Sequence, residues 1–290
     1  MKSKRHYDWR SVMRDKELRN AKGQSEQEFL EAYKPGNYER PSVTVDILIF
    51  SLIDKKVETK RTVSQKELRV LLIKRKDHPF MHCWAIPGGF VNMDENLDTA
   101  AYRELKEETN VEDVYLEQLY TFGNVGRDPR MRVISTAYLA LTSQEDIEPV
   151  AGDDAKEAKW FIVQNGEQYL KLVSEDGNDV ICYDKTTKKD SLKDGSALAF
   201  DHFDILLMGL ERLKNKVDYT DVAFSLLPEL FTMTEARNVY ENLLGKQIDK
   251  ANFRREMKKK VIETDQYADD YKKSRLYRFN PCWNNKKKGK

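Results

Sequence analysis

A chain of 290 residues that is 40% hydrophobic and 34% charged is too long for one small core, suits two domains and carries a richly charged surface. Its net charge of +1 sets up no global field for nucleic acid or membrane, yet the balance is uneven: from Asp221 onward 16 Lys and Arg stand against 10 Asp and Glu. Cys83, Cys182 and Cys282 lack metal-ligand spacing and read as reduced thiols of a cytoplasmic protein, and neither the charged start nor the longest apolar run, around Ile47 to Ile53, makes a signal peptide or membrane span.

Residues 1–40 read as an N-terminal arm with a disordered start and a short helical pattern at Glu26 to Tyr33, stopped by Pro35-Gly36. Ser42 to Phe50 alternates and is β-branched, which predicts a strand with Val43, Val45, Ile47 and Ile49 on one face. A polar connection from Asp54 to Lys66 then leads to a second strand, Leu68 to Lys74, its hairpin partner. Trp84-Ala-Ile-Pro runs into Gly88-Gly89, and Leu97 to Thr109 is predicted to be a helix with Leu97, Ala101 and Leu105 toward a sheet. Across from them Glu104, Glu107 and Glu108 fall at i, i+3 and i+4. Like charges so placed repel by a few tenths of a kcal/mol per pair unless a cation lies between them, and hard oxygen ligands on one face suit Mg²⁺ or Mn²⁺. A solvated acidic face is the ordinary alternative.

Further strands are predicted at Val114 to Phe122, Val133 to Leu141, Lys159 to Val163, Leu170 to Val173 and Val180 to Tyr183, the last two about a turn at Asp176-Gly177-Asn178. Lys185 to Ser196 reads as loop, and Phe200 to Lys214 as an amphipathic helix with Ile205, Met208 and Leu213 on its apolar face. A second half begins near Val217. Thr234 is the expected N-cap of a helix bearing Ala236, Val239, Tyr240, Leu243 and Leu244 on one side and ending at Gly245. Asp249 caps a second helix with Phe253 and Met257 inward and Ala251, Asn252, Arg255, Lys258 and Lys259 on the opposite side. Leu276 to Phe279, preceded by Lys272, Lys273 and Arg275, supplies the last strand of a wing. Helix, tight turn and basic helix are the grammar of helix-turn-helix DNA readers. The expected DNA contacts are Lys250, Asn252, Arg254, Arg255, Lys258, Lys259 and Arg275; a packing or dimerisation domain with solvated basic residues is the alternative.

Counted from Gly89, the chain reads Gly, five residues, Glu95, seven residues, Arg103-Glu104-Leu105, one residue, Glu107-Glu108, one residue, Asn110-Val111. This resembles the Nudix box of hydrolases that cleave a nucleoside diphosphate linked to another group. The one departure is Asn110 in place of Gly, and Asn is the second choice for a left-handed helix end. The resemblance implies an α/β fold, the Nudix α/β/α sandwich, over residues 41–216. It also implies Glu104 and Glu108 as primary ligands of Mg²⁺ or Mn²⁺, Glu107 as a third or water-mediated ligand, and Arg103 pairing with Glu95 to hold the carboxylates. Glu104, Arg103 and Glu107 form the catalytic set, while Gly88 and Gly89 let metal and phosphate approach the backbone.

Gly126-Arg-Asp-Pro-Arg-Met-Arg resembles a loop of the ADP-ribose branch of that family, in which Arg127 and Arg130 would clamp a diphosphate unless they serve structural ion pairs. Phe200-Asp201-His202 matches another run of the branch, with His202 either lining the pocket or making a structural hydrogen bond. A further acid outside the box has three candidates, Asp153, Asp154 and Glu157. The tail, Phe231 to Gly245 followed by Asp249 to Met257, resembles the winged-helix domain of Nudix-related regulators of NAD metabolism, the NrtR type, and sets the third domain at 217–290. The resemblance implies an ADP-ribose-responsive transcriptional regulator of NAD-related metabolism that also has the means to hydrolyse its ligand. The rival reading is a metal-dependent ADP-ribose pyrophosphatase whose tail serves packing or dimerisation. Expected partners are ADP-ribose or a related nucleoside diphosphate or sugar phosphate, double-stranded operator DNA and a second copy of the chain, and no membrane.

Overall fold

The computed structural model describes residues 18–54, 66–109, 114–143, 155–190, 197–269 and 273–283. The chain forms two units, residues 1–40 and 41–290. In the first, helix α1 (Glu26–Ala32) is closed by a capping box between Ser25 and Glu28, and none of its residues is buried.

The second unit is built on a sheet of ten strands. These are β1 (Ser42–Asp54), β2 (Lys66–Arg75), β3 (Trp84–Ala85), β4 (Gly88–Phe90), β5 (Tyr115–Phe122), β6 (Val133–Leu141), β7 (Ala155–Asn165), β8 (Tyr169–Ser174), β9 (Val180–Asp184) and β10 (Lys189–Asp190). The main order is β10-β9-β8-β7-β2-β1-β6-β5, with β3 paired to β2 and β4 to β1. β1 and β2 form the predicted antiparallel pair, in the register Phe50 to Val70, and β1 and β6 run parallel.

Successive side chains of β1 enter opposite layers, as a pleated strand requires. Val45, Ile47 and Ile49 pack with Ala100, Ala101 and Leu105 of helix α2 (Leu97–Thr109). Leu48, Phe50 and Leu52 pack with Ile205, Leu206, Leu210 and Leu213 of helix α3 (His202–Lys216). Both faces of the strand are therefore covered, where the alternation suggested one, and Val43 at its start is exposed. The closeness of α3 is set by Gly209, where a Cβ would fall 2.2 Å from Leu48 Cδ2. The helix starts two residues later than its apolar pattern suggested, because Phe200 has a left-handed φ of 55°.

The tail carries β11 (Phe231–Thr232), α4 (Met233–Leu244), α5 (Lys250–Met257), β12 (Val261–Tyr267) and β13 (Arg275–Phe279), with the small sheet ordered β11-β13-β12. The N-cap of α4 is Thr232, not Thr234. Thr232 Oγ1 accepts from the Glu235 N–H while the Glu235 carboxylate accepts from the Thr232 N–H, a reciprocal box that Thr234, with Arg237 three residues on, cannot form. Gly245 ends the helix at φ 67°, and Asp249 caps α5 as expected.

No separate core divides tail from sheet. Leu68, Val70 and Leu72 of β2, the apolar face of α3, and Ala236, Val239, Leu243, Phe253 and Met257 of the tail belong to one buried cluster. Asn242 of α4 donates to the Lys66 carbonyl of β2 at 2.6 Å. Among the described residues no helix is long and apolar enough to cross a membrane.

Candidate functional site

The box is assembled by two close approaches. β4 lies antiparallel against β1, pairing Gly88 with Asp46 and Gly89 with Val45. A Cβ on Gly88 would stand 2.2 Å from the Val45 carbonyl oxygen, and one on Gly89 would stand 2.1 Å from Glu104 Oε1. Backbone contact requires glycine at Gly88, while at Gly89 a Cβ would displace the Glu104 carboxylate. The Glu104 carboxylate thus rests directly on the backbone of β4.

Arg103 is the hub. Its Nε and Nη2 donate to the two oxygens of Glu95 at 3.1 and 2.8 Å, and its Nη1 donates to Glu104 at 2.7 Å and to Glu107 at 3.3 Å. Its Nη2 also reaches the Phe90 carbonyl at 3.1 Å. The hydrogen bonds from Arg103, together with the Asn92 N–H, pull the Glu95 carboxyl down to a pKa of about 2. Burial pushes Glu104 the other way, above the usual carboxylate range, even though Arg103 opposes the shift. Glu104 is only 7% exposed, while Glu107 is open to solvent. One guanidinium against three carboxylates leaves an excess of hard, negative oxygen. Glu108 continues α2, but its side chain, like Asn110, Asp153 and Asp154, lies outside the described residues. Among those that are described, no three acids, histidines or cysteines stand close enough together to hold a metal. Glu157, on β7, is engaged by Lys159 at 2.9 Å and Lys74 at 3.9 Å.

Beneath the glycines lies a buried polar network: the sequence allowed Arg127 and His202 structural partners, but Asp46 and Ser135 were not named among them. Asp46 accepts from Ser135 Oγ at 2.5 Å and from Arg127 Nη2 at 3.2 Å, and Arg127 makes a two-pronged contact with Asp201 at 2.7 and 3.0 Å. The guanidinium expected on a diphosphate is thus turned toward two carboxylates. His202 Nδ1 accepts from the Ile86 N–H at 2.9 Å, which puts the ring proton on Nε2, 3.7 Å from Asp46. Burial lowers the His202 pKa against the pull of Asp46 and Asp201, so the ring is neutral. A signal for this network was present in the sequence: Asp46 is the one charge between Ser42 and Ile53, and a buried charge needs partners. Arg130 is more open. It pairs with Asp128 at 2.8 Å, and its guanidinium carbon stands 5.7 Å from the ring centre of Phe90, the residue after the two glycines.

On the tail, Lys250, Arg254 and Arg255 of α5 and its C-cap Lys258 line, with Met233, Thr234 and Arg237, an open groove of about 510 Å³. Arg254 and Lys258 also border a second groove toward the wing, shared with Arg275. Asn252 accepts from Arg255 at 3.0 Å, and Arg275 is tied to Glu263 and to the Tyr267 hydroxyl, both at 3.0 Å. Lys259 is exposed and lines neither groove.

Residues 61–178 match the family model of the NUDIX domain, and residues 223–279 match that of the NrtR DNA-binding winged helix domain. Over 264 residues, 88% of this chain and 88% of the relative, the sequence is 38% identical to an ADPR responsive transcriptional repressor, NtrR, of Acinetobacter baylyi. The chain belongs to the NrtR family. Its Nudix part is also 38% identical over 128 residues to an ADP-ribose pyrophosphatase of Methanocaldococcus jannaschii, covering 44% of this chain and 66% of that one. Shewanella oneidensis NrtR, crystallised with a 27mer DNA, superposes with a TM-score of 0.59 at 30% identity, covering 83% of this chain and 94% of that one. In this NrtR-family protein the box and the basic helix sit on separate layers. α2 packs on one face of the sheet, and α3 and α4 share the core on the other.

Proposed function

We propose that the protein is an ADP-ribose-responsive transcriptional regulator of NAD-related metabolism, acting as a cytoplasmic homodimer on double-stranded operator DNA, and that it retains the machinery to hydrolyse ADP-ribose. The observation that carries the reading is the joining, through one core, of an intact box around Arg103 to a groove lined by Lys250, Arg254, Arg255 and Lys258. Residues 41–216 serve as the sensing part and residues 217–290 as the DNA reader.

The box residues suit a divalent cation. Glu104 is desolvated on the Gly89 backbone, and the cluster has more carboxylates than Arg103 can neutralise. Glu104, Glu107 and Glu108 would hold Mg²⁺ or Mn²⁺, which supplies charge neutralisation for a diphosphate and activation of water. Arg103 fixes Glu104 and Glu107 relative to Glu95. Arg130, paired with Asp128 but more exposed and beside Phe90, is the more accessible of the two arginines to a phosphate. Arg127 and His202 act through others: the first holds Asp46 and Asp201, the second holds the Ile86 N–H at the entrance to the glycine loop. At the DNA, the α5 cations approach phosphates and base edges while Arg275 positions the wing through Glu263.

A second reading, a pyrophosphatase whose tail only packs or dimerises, is favoured by the completeness of the Arg103 cluster. Titrating full-length protein with DNA from its own and neighbouring promoters, with and without ADP-ribose and with Ca²⁺ replacing Mg²⁺, separates the two. Ordinary coupling weakens DNA binding by about 5- to 150-fold, and DNA must weaken ADP-ribose binding by the same factor. Equal affinities in both arms would leave ADP-ribose as a substrate or a bystander.

A further inference from the structure

Three residues with large side chains hold left-handed backbone close to one another: Phe80 at φ 60°, His82 at 68° and Phe200 at 55°. Such angles are costly for any residue with a bulky side chain and gather where a site requires them. The Phe80 and Phe200 rings meet edge to face, with centroids 4.8 Å apart. The Arg75 guanidinium carbon stands 5.1 Å from the centre of the Phe200 ring, and Arg75 Nε donates to the Pro79 carbonyl at 2.7 Å, tying the turn that carries Phe80 to that ring. Phe80 is nonetheless 39% exposed. A simple apolar cover for Phe200 needs no strained backbone.

The place of this ring pair gives it a ligand. Phe200 lies 5.3 Å from the His202 ring, which accepts from the Ile86 N–H, and Gly89 is three residues further, at most ~11 Å of extended chain. The rings are thus joined by contact, through His202, to the Ile86-Pro87 segment that leads into the glycine loop. We propose that Phe80, backed by Phe200 and Arg75, is the stacking platform for the purine base of a nucleoside diphosphate whose phosphates meet the Gly88-Gly89 loop. This assignment rests on the function proposed above and deepens it by naming the surface that takes the base. Stacking on an aromatic ring tolerates any base, because every base has a π-face, so the platform supplies affinity while choice among bases needs polar contacts.

The test uses full-length protein, with ADP-ribose and AMP as probes in calorimetric titrations and Mn²⁺ binding as a check on the box. Phe80→Ala is expected to weaken both nucleotides by about 5- to 150-fold and to leave Mn²⁺ affinity unchanged. Phe80→Trp is expected to keep the affinity, with its indole emission quenched by AMP. Wild-type affinity in Phe80→Ala, or an equal loss of Mn²⁺ and nucleotide binding, would overturn the platform. Should Phe80→Ala fold poorly, an absence of quenching by AMP in Phe80→Trp does so instead. Failure of the wild type to bind ADP-ribose would remove the proposed effector alone, and the AMP titrations would still decide whether Phe80 carries a base.

Discussion

The two adjacent glycines of the box should respond oppositely to the same substitution. In Gly88→Ala the new Cβ meets backbone, the Val45 oxygen at 2.2 Å and the Asp46 Cα at 3.0 Å, with the Asp46 side-chain Oδ1 at 3.1 Å. Relief requires β4 to move off β1 by about 1 Å, weakening the nearby bond from Ile47 N–H to the Pro87 carbonyl, 2.8 Å long. Overpacking at ~1–3 kcal/mol and one strand hydrogen bond at ~1 kcal/mol predict a loss of about 3 kcal/mol. In Gly89→Ala the atoms met belong to the end of the Glu104 side chain, Oε1 at 2.1 Å and Cδ at 2.7 Å, which a rotation can move aside. Stability should then change by less than ~1 kcal/mol, since the lost bond to Arg103 is offset by rehydration of a desolvated carboxylate. The displaced carboxylate should cost Mn²⁺ affinity and at least ~10²-fold in any hydrolysis, the scale of a misplacement near 1 Å. Urea unfolding followed by circular dichroism, with Mn²⁺ binding by electron paramagnetic resonance, reads both quantities. Equal destabilisation by the two variants, or unaltered Mn²⁺ binding in Gly89→Ala, would refute the reasoning.

Glu108→Gln is expected to lower turnover of ADP-ribose by about 10³-fold, roughly 4 kcal/mol, in an assay of AMP release with Mg²⁺ or Mn²⁺; no release by the wild type would remove the enzymatic role and leave the sensor. If the basic groove meets about six phosphates, log K should fall with log salt at a slope near −5, and Arg255→Ala should cost roughly 1 to 3 kcal/mol at a specific site; a slope near zero would exclude the groove from DNA. The folded-state pKa of His202 lies below its ordinary 6.5, so its contribution is fully present above that value and is lost as pH falls below it, where only the unfolded chain takes up the proton. Wild type should therefore lose up to about 1 kcal/mol more than His202→Gln between pH 6.5 and 5.5, measured as urea midpoints; parallel profiles would contradict a buried neutral ring.

Where local chemistry and tertiary packing agree, the sequence was readable: the strand at Ser42, the box helix with Ala101 and Leu105 inward, the stop at Gly245 and the cap at Asp249 all follow from patterns within a few residues. Thr232 was within reach too, since a Glu three residues on distinguishes it from Thr234. What could not be read is long-range. That Arg127 spends itself on Asp46 and Asp201, 81 and 74 residues away, depends on three segments meeting under the glycine loop. The spacing that makes Arg127 resemble a phosphate clamp is the same in either role. Phe80 likewise sits in an unremarkable stretch, and only the folded backbone shows its left-handed angle.

The shared core makes the two halves unequal in what they can lose. α2 and its carboxylates lean on their own small cluster, so substitutions at Glu104, Glu107 or Glu108 leave the packing of α4 and α5 untouched. Removing the tail, by contrast, would uncover Leu68, Val70 and Leu72 on the back of the sheet and strand α3 with one side bare. Hydrolysis can therefore drift away in a lineage while the reader persists, but a descendant that sheds the reader must first rebuild a surface.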